Sequence, residues 1–319
     1  MKPRRTLLTT VAALAASAGL VFASAPAGGA SPGSASLQAP ERVAAPPEVP
    51  DEYPMAHLRQ LQSAADANGG TRAHGRPGYR ASVDYVAGKL NAAGFQVTVQ
   101  PFTHNGAAGW NVIADWPHGD PNQIVFLGAH LDSVTAGPGI NDNASGSGAI
   151  LETALTAARV GLRPTKRLRF GWWGAEELGL IGSRYYANRL PSAERSRIKS
   201  YVNFDMVGAR NTTTWGVYND NASMRSMFEA YFRSKGIGTR PINIAGRSDH
   251  ASFAAIGVPV SGIASGSDPC YHQRCDNLSN VGANVEGRST NAAIHAAWTL
   301  AGEGGGTKPF HDASITRVR

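Results

Sequence analysis

Short apolar runs at 124–129, 167–173, 200–206 and 258–263 restrict the fold more than any other feature of this chain. Each is too short for a helix of its own, and β-branched and aromatic residues recur in them, so they read as strands buried on both faces. Helical spacing separates them at 144–160, 178–189, 222–235 and 249–256. Helices are also expected at 55–67, 79–94 and 284–301, and further strands at 96–103, 109–114 and 214–218. Strands alternating with helices predict an α/β three-layer sandwich, with a central, mostly parallel mixed β-sheet flanked by helices. In such sheets sites are built at the strand ends of one edge.

The two ends of the chain have a different character. Lys2, Arg4 and Arg5 precede an apolar stretch reaching Phe22, and small residues follow to Ala30. That is the pattern of a cleavable export signal over 1–30, and the paired Arg4-Arg5 leaves a twin-arginine route open. The run is short for a membrane span. Residues 31–50 are rich in Pro, Ala and Ser and read as a linker or pro-segment, 51–302 as one domain, and 303–319, after Gly304-Gly305-Gly306, as a loose tail. The formal charge is +7, and loss of the three cations of the signal leaves +4. No block of like charge marks a nucleic-acid face, and Arg163 to Arg169 read as a solvated loop entering a strand. The expectation is a secreted monomer that binds no nucleic acid and, once exported, no membrane.

Acids and histidines gather where the apolar runs stop. The first ends at His130-Leu131-Asp132; residues two apart share one side of a strand, so Asp132 is placed to hold the His130 ring in one tautomer. Asp142 opens a helix after Asn141, a natural N-cap position. The second run leads into Gly174-Ala175-Glu176-Glu177. Two acids there either charge the first turn of a helix or, pointing apart on a bend, divide the work of metal ligand and base. Asp205 ends the third run, and His272 lies between Cys270 and Cys275. Singly, each has an ordinary structural explanation. Together they put two histidines and several carboxylates at equivalent strand ends, where buried acids are costly unless paired or metal-bound. Two His with three carboxylates suit zinc. Three ligand carboxylates and a hydroxide balance two divalent ions better than one, with one carboxylate bridging. The two cysteines, five positions apart, are placed to close a disulfide in an oxidising environment; free thiols or zinc ligation are the alternatives.

The series His130-Leu-Asp132, Asn141-Asp142-Asn-Ala-Ser-Gly146, Glu176-Glu177-Leu-Gly179, Asn203-Phe-Asp205-Met, Gly246-Arg247-Ser-Asp-His250 and Cys270-Tyr271-His272 resembles the secreted zinc aminopeptidases of family M28, similar to the Streptomyces enzymes, over about 51–302. The resemblance implies a zinc-exopeptidase fold and two zinc ions. His130 and Asp205 would hold one, Glu177 and His272 the other, and Asp142 would bridge. It makes Glu176 the general base, Tyr271 the residue that steadies the oxyanion, and Arg247 a neighbour of the substrate's amino end. It also implies a cis peptide after Asp142. The substrates implied are the N-termini of peptides and proteins. Two departures stand out: the loop from Ile263 to Pro269 is shorter than in some relatives, so no side-chain preference is carried over, and the stretch around Gly287 and Asn291 is too poor in acids to expect calcium. Carboxypeptidases and glutaminyl cyclases share much of this ligand set, and a non-catalytic peptide-binding relative is the reading from another class.

Overall fold

A computed structural model describes residues 45–302. The proposed export signal, residues 31–44 and the 303–319 tail lie outside the described residues. Eight strands form one sheet in the order β1 (Gln96–His104), β2 (Ala107–Asp115), β4 (Lys166–Trp173), β3 (Asp120–His130), β5 (Ile198–Phe204), β8 (Val260–Ala264), β6 (Thr214–Tyr218) and β7 (Gly238–Ile242). The four central strands, β4, β3, β5 and β8, run parallel. The β1–β2 hairpin and β6 are antiparallel to their central neighbours, and β7 is parallel to β6. Asn105 and Gly106 close the hairpin with left-handed backbone at both positions (φ 49° and 74°), the conformation an Asn-Gly pair adopts most readily.

Period-two alternation divides each central strand between two cores. Val125, Leu127 and Ala129 face one layer and Ile124 and Phe126 the other; Phe170 and Trp172 are likewise separated from Trp173. Helices α1 (Glu52–Asp66), α2 (Pro77–Ala92), α3 (Gly146–Arg159), α6 (Ala222–Ser234) and α8 (Ala283–Ala301) cover the first face. The second is covered by α4 (Ile181–Arg189), α5 (Ser192–Arg197) and α7 (His250–Ala254), around an aromatic cluster in which Tyr201 stacks on Phe253 while Phe126 and Trp173 meet Phe253 edge-on and tilted. The expected three-layer sandwich is therefore present. Among the described residues no helix is long and apolar enough to cross a membrane.

Several boundaries move for local reasons. The helix expected from 178 begins at Ile181, because Gly179 (φ 103°) and Leu180 (φ 60°) turn left-handed. Glu176 and Glu177 thus sit on a bend and not in a helical first turn. The helix expected over 249–256 is confined to α7. Strand β7 and helix α5 have no strong apolar period and were not expected. Ordered contacts begin ahead of Asp51: Val49 is buried, and its N–H and C=O pair with the side-chain amide of Asn291 at 2.8 and 3.1 Å.

Candidate metal centre

The carboxyl ends of β3, β4 and β5 and the loop after β8 converge on one cleft of about 330 Å³. His130 is the last residue of β3. Its Nε2 lies 3.2 Å from Asp142 Oδ1, 3.3 Å from Asp205 Oδ1 and 3.8 Å from Glu176 Oε2. On the other side, His272 Nε2 lies 2.9 Å from Glu177 Oε2 and 3.2 Å from Asp142 Oδ2. The two oxygens of Asp142 therefore face two different histidines. Glu176 and Glu177, adjacent in sequence, point into different halves of the cluster.

One ring nitrogen carries at most one proton, so it cannot satisfy three carboxylate oxygens. Accordingly Asp205 Oδ1 is buried without a hydrogen bond, and so is Glu177 Oε1, on the carboxylate whose other oxygen faces His272. Such orphaned oxygens beside imidazole nitrogens match what a borderline-hard divalent cation requires, and the ligand types fit zinc. Two groups, His130–Glu176–Asp205 and His130–Asp142–Glu177, each offer ligand atoms within 4.8 Å of one another.

Electrostatics without a metal describe the same deficit. Burial, aided by Asp249 and Asp205 and opposed by His130, pushes Glu176 up to about 10. Burial and the Asp142 charge push Glu177 up to about 8. Burial also raises Asp142, but hydrogen bonds from His130 and His272 outweigh it and leave the carboxyl at about 2. Crowded acids take up protons when no cation is there to pair with them.

Backbone conformation around the site is uncommon. Ala175 (φ 55°), Met206 (φ 55°) and His272 (φ 58°) are left-handed non-glycine residues at or beside Glu176, Asp205 and the second histidine. The Asp142–Asn143 peptide is cis. Gly146 lets the start of α3 approach the end of β5, for a Cβ there would meet Phe204 O at 2.0 Å. Asn143 completes the junction: its Nδ2 donates to Phe204 O at 2.9 Å, and its Oδ1 accepts from Gly146 N–H at 2.9 Å.

The sequence model of Peptidase family M28 matches residues 111–297, more than half of the chain. This chain belongs to peptidase family M28. It is 51% identical over 290 residues to leupeptin-inactivating enzyme 1 of Streptomyces exfoliatus, covering 83% of this chain and 66% of that protein. It is 38% identical over 221 residues to an aminopeptidase of Pseudomonas aeruginosa, covering 59% of this chain and 41% of that one. The chain thus spans less than two thirds of the length of either relative. The fold is shared with a zinc aminopeptidase from Bacillus subtilis (TM-score 0.72, 17% identity, 78% of this chain and 95% of that one). It is also shared with an aminopeptidase from Aneurinibacillus sp. strain AM-1 (TM-score 0.69, 19% identity, 82% and 98%).

The remaining expected residues of this M28 chain also sit at the cleft. Tyr271 is 49% exposed and stacks on His272, with ring centroids 3.8 Å apart; burial of its inner part, next to Asp142 and Glu177, pushes the phenol up to about 12. Arg247 lines the cleft from an exposed position, its Nε donating to Ile244 O at 3.3 Å. Cys270 and Cys275 form a disulfide on either side of Tyr271 and His272. Asp132 is placed differently from expectation. Its backbone carbonyl, 3.2 Å away, partners His130 Nδ1, while its carboxylate Oδ1 is 3.7 Å from that nitrogen and accepts from Glu176 N–H at 3.1 Å.

Other members carry no role that the sequence alone assigns, although Asn203, Ser248 and Asp249 stand in the motifs quoted above. Ser248 Oγ donates to Asp205 Oδ2 at 2.5 Å and accepts from Asn203 Nδ2 at 2.7 Å, and Asn203 Oδ1 accepts from Tyr201 OH at 3.0 Å. This fixes the oxygen of Asp205 opposite the one that faces His130. Asp276 accepts the N–H groups of Asn141 and Asp142 at 2.8 and 2.9 Å. Asp249 is fully buried with neither oxygen hydrogen-bonded, and burial pushes it up to about 7. The only sequence signal for Ser248 and Asp249 is their place beside Arg247 in the Gly246–His250 motif.

Proposed function

We propose that this M28 chain is an exported aminopeptidase that uses two zinc ions to hydrolyse the first peptide bond of peptides and proteins. One observation carries the reading: the two oxygens of Asp142 each lie 3.2 Å from a different histidine Nε2, the arrangement of a carboxylate that bridges two cations. In this reading His130 and Asp205 would hold one ion, and Glu177 and His272 the other. When bound, zinc supplies Lewis acidity to a water molecule and to the scissile carbonyl.

The chain's own residues do the rest. Glu176 lies within the cluster but on the far side of the bend from Glu177; with cations paired to the crowded acids its carboxyl would ionise, and it would then take the proton of the attacking water and return it to the leaving amine. Tyr271, protonated at neutral pH, donates its hydroxyl hydrogen to the oxygen that gains charge. The acidic surplus around Glu176 and Asp205 attracts a free α-ammonium, and Arg247 flanks that end. Met206, Tyr218, Ile244 and Ala264 give the cleft an apolar wall that suits an apolar first side chain.

The test is metal analysis of the purified protein together with hydrolysis of free and N-acetylated aminoacyl anilides. Two zinc ions per chain and cleavage of the free forms alone are expected. One ion per chain removes the bridging role of Asp142, cleavage of the N-acetylated anilides removes the requirement for a free α-ammonium and with it the aminopeptidase reading, and release of C-terminal residues from unblocked peptides moves the reading to a carboxypeptidase. Export is tested by N-terminal sequencing of protein from the culture medium, which should begin beyond residue 30.

A further inference from the structure

Arg72 is fully buried, although it belongs to a glycine-rich loop between α1 and α2 whose residues would ordinarily meet solvent. Its guanidinium is spent on main-chain carbonyls. Nε donates to Pro138 O at 2.9 Å, Nη2 to Gly139 O at 2.5 Å, and Nη1 to Leu131 O. Its backbone is tied to the same segment, with N–H on Ser133 Oγ at 3.0 Å and C=O accepting from Ser133 N–H at 3.3 Å. Leu131 directly follows His130, and Gly139 lies three residues before Asp142. Gly139 is itself confined: its backbone is left-handed (φ 63°), and a Cβ there would meet Asp142 O at 2.3 Å.

The charge faces the centre as well. Burial pulls Arg72 down to about 10, so it stays a cation at neutral pH, and the carboxylates acting on it are Asp132, Asp276, Asp142 and Glu177. Among the described residues no carboxylate hydrogen-bonds to it, so its fork is used to set backbone positions while its charge acts across the cluster. Arg72 also precedes the segment matched to the family, residues 111–297.

We infer that Arg72 is a positioning residue for the metal centre. It locks the loops that carry His130 and Asp142 in the separation two ions require, and its fixed positive charge holds the ligand carboxylates together before any ion arrives. The inference rests on the zinc reading above. A lysine keeps the charge but cannot span three carbonyls with a planar fork.

The test compares Arg72→Lys with Arg169→Lys. Arg169 is another largely buried arginine, in a two-bond pair with Asp115 at 2.7 Å, on β4 and away from the cleft. Zinc affinity is measured by competition with a chelator, and the cobalt(II)-loaded forms are compared by visible absorption. Arg72→Lys should bind zinc about 10–100-fold more weakly and shift the cobalt bands. Arg169→Lys should lower Tm and leave both unchanged. If Arg72→Lys does not fold, Ser133→Ala, which removes the hydroxyl that accepts from Arg72 N–H, should weaken zinc by a smaller factor in the same direction. Wild-type zinc affinity and cobalt spectrum in the variant that folds would overturn the inference. Absence of zinc binding in the wild-type protein would instead overturn the reading on which it rests.

Discussion

Among the described residues two buried histidine–carboxylate clusters can be set side by side, and one of the two is complete. Between α1, α2 and α3, His57 Nδ1 meets Tyr85 OH at 2.6 Å and Nε2 meets Glu152 Oε2 at 3.1 Å. Glu152 Oε1 accepts from Thr156 Oγ1 at 3.1 Å and from Arg159. Each ring nitrogen has a partner, each carboxylate oxygen accepts, and a guanidinium balances the charge. At the strand ends one histidine faces three carboxylates, and oxygens of Asp205, Glu177 and Asp249 accept nothing. A histidine beside an acid is thus uninformative by itself. The unmet demand around it is what separates a functional site from a polar brace.

The comparison breaks first at the two neighbouring glutamates. Glu176→Gln should retain zinc and lose about 10²–10⁴-fold in kcat, the range for removal of a general base. Glu177→Ala should release one ion per chain. Near-normal turnover in the first variant, or an unchanged metal ratio in the second, would exchange or abolish the assigned roles.

A smaller effect is expected at the loop that brings His272 to the cluster. Opening it with Cys270→Ser and Cys275→Ser should weaken zinc retention and activity more than it lowers Tm, since a misplacement near ~1 Å can cost about 10²-fold. Full activity and metal content in the double variant would mean that Asp268, which accepts from Asn141 Nδ2 at 2.6 Å and Cys270 N–H at 2.7 Å, holds the loop unaided.

Proton uptake offers a third distinction. Without metal, burial raises Glu176, Glu177 and Asp249 to about 10, 8 and 7. Burial lowers His130, but the Glu176 and Asp205 charges outweigh it and hold the ring well above its ordinary value. All four bind protons more tightly folded than unfolded. Their contribution is full below their ordinary unfolded values and is lost as pH rises through the folded ones. Tm of chelator-treated protein should therefore fall between about pH 5 and pH 9, and zinc, which takes the place of those protons, should flatten or reverse the slope. Parallel slopes with and without zinc would show that the cluster takes up no cation.

The mildest change is expected in the complete cluster. Glu152→Gln should cost about 1–3 kcal/mol of stability, by urea unfolding, and leave zinc content and kcat as they were. Loss of metal there would join two regions that the structure keeps apart.

The central strands and most of the acids and histidines that meet in the cleft are legible in the sequence because both depend on short-range pattern: period-two burial, and acids placed where apolar runs stop. The fold's edge is less so. Strand β7 is mostly exposed and contains Pro241, so pairing with β6 on one side alone makes it a strand. Residues that act through distant backbone are also hidden. Arg72 in Gly69-Gly70-Thr71-Arg72 looks like a loop cation until 131–139 is folded over it, and Asp276 looks like a loop acid until Asn141 and Asp142 present their N–H groups. The side chain of Asp132 shows the limit of parity: residues two apart do share a side, but the carbonyl reached the His130 ring nitrogen first.

The order in which the centre is supplied has a consequence of its own. Its members are spread from His130 to His272: His130 at the end of β3, Asp142 ahead of α3, Glu176 and Glu177 after β4, Asp205 after β5, and His272 beyond β8. A growing chain that has reached Asp205 still lacks the second histidine, and one that has reached His272 still lacks α8, which packs on α3 behind Asp142. Contacts so far apart in sequence form late. On the aminopeptidase reading, a centre assembled in this way would acquire its cutting edge only when the rest of the fold is finished, so the molecule would be harmless to its own unfolded copies until it had ceased to be one.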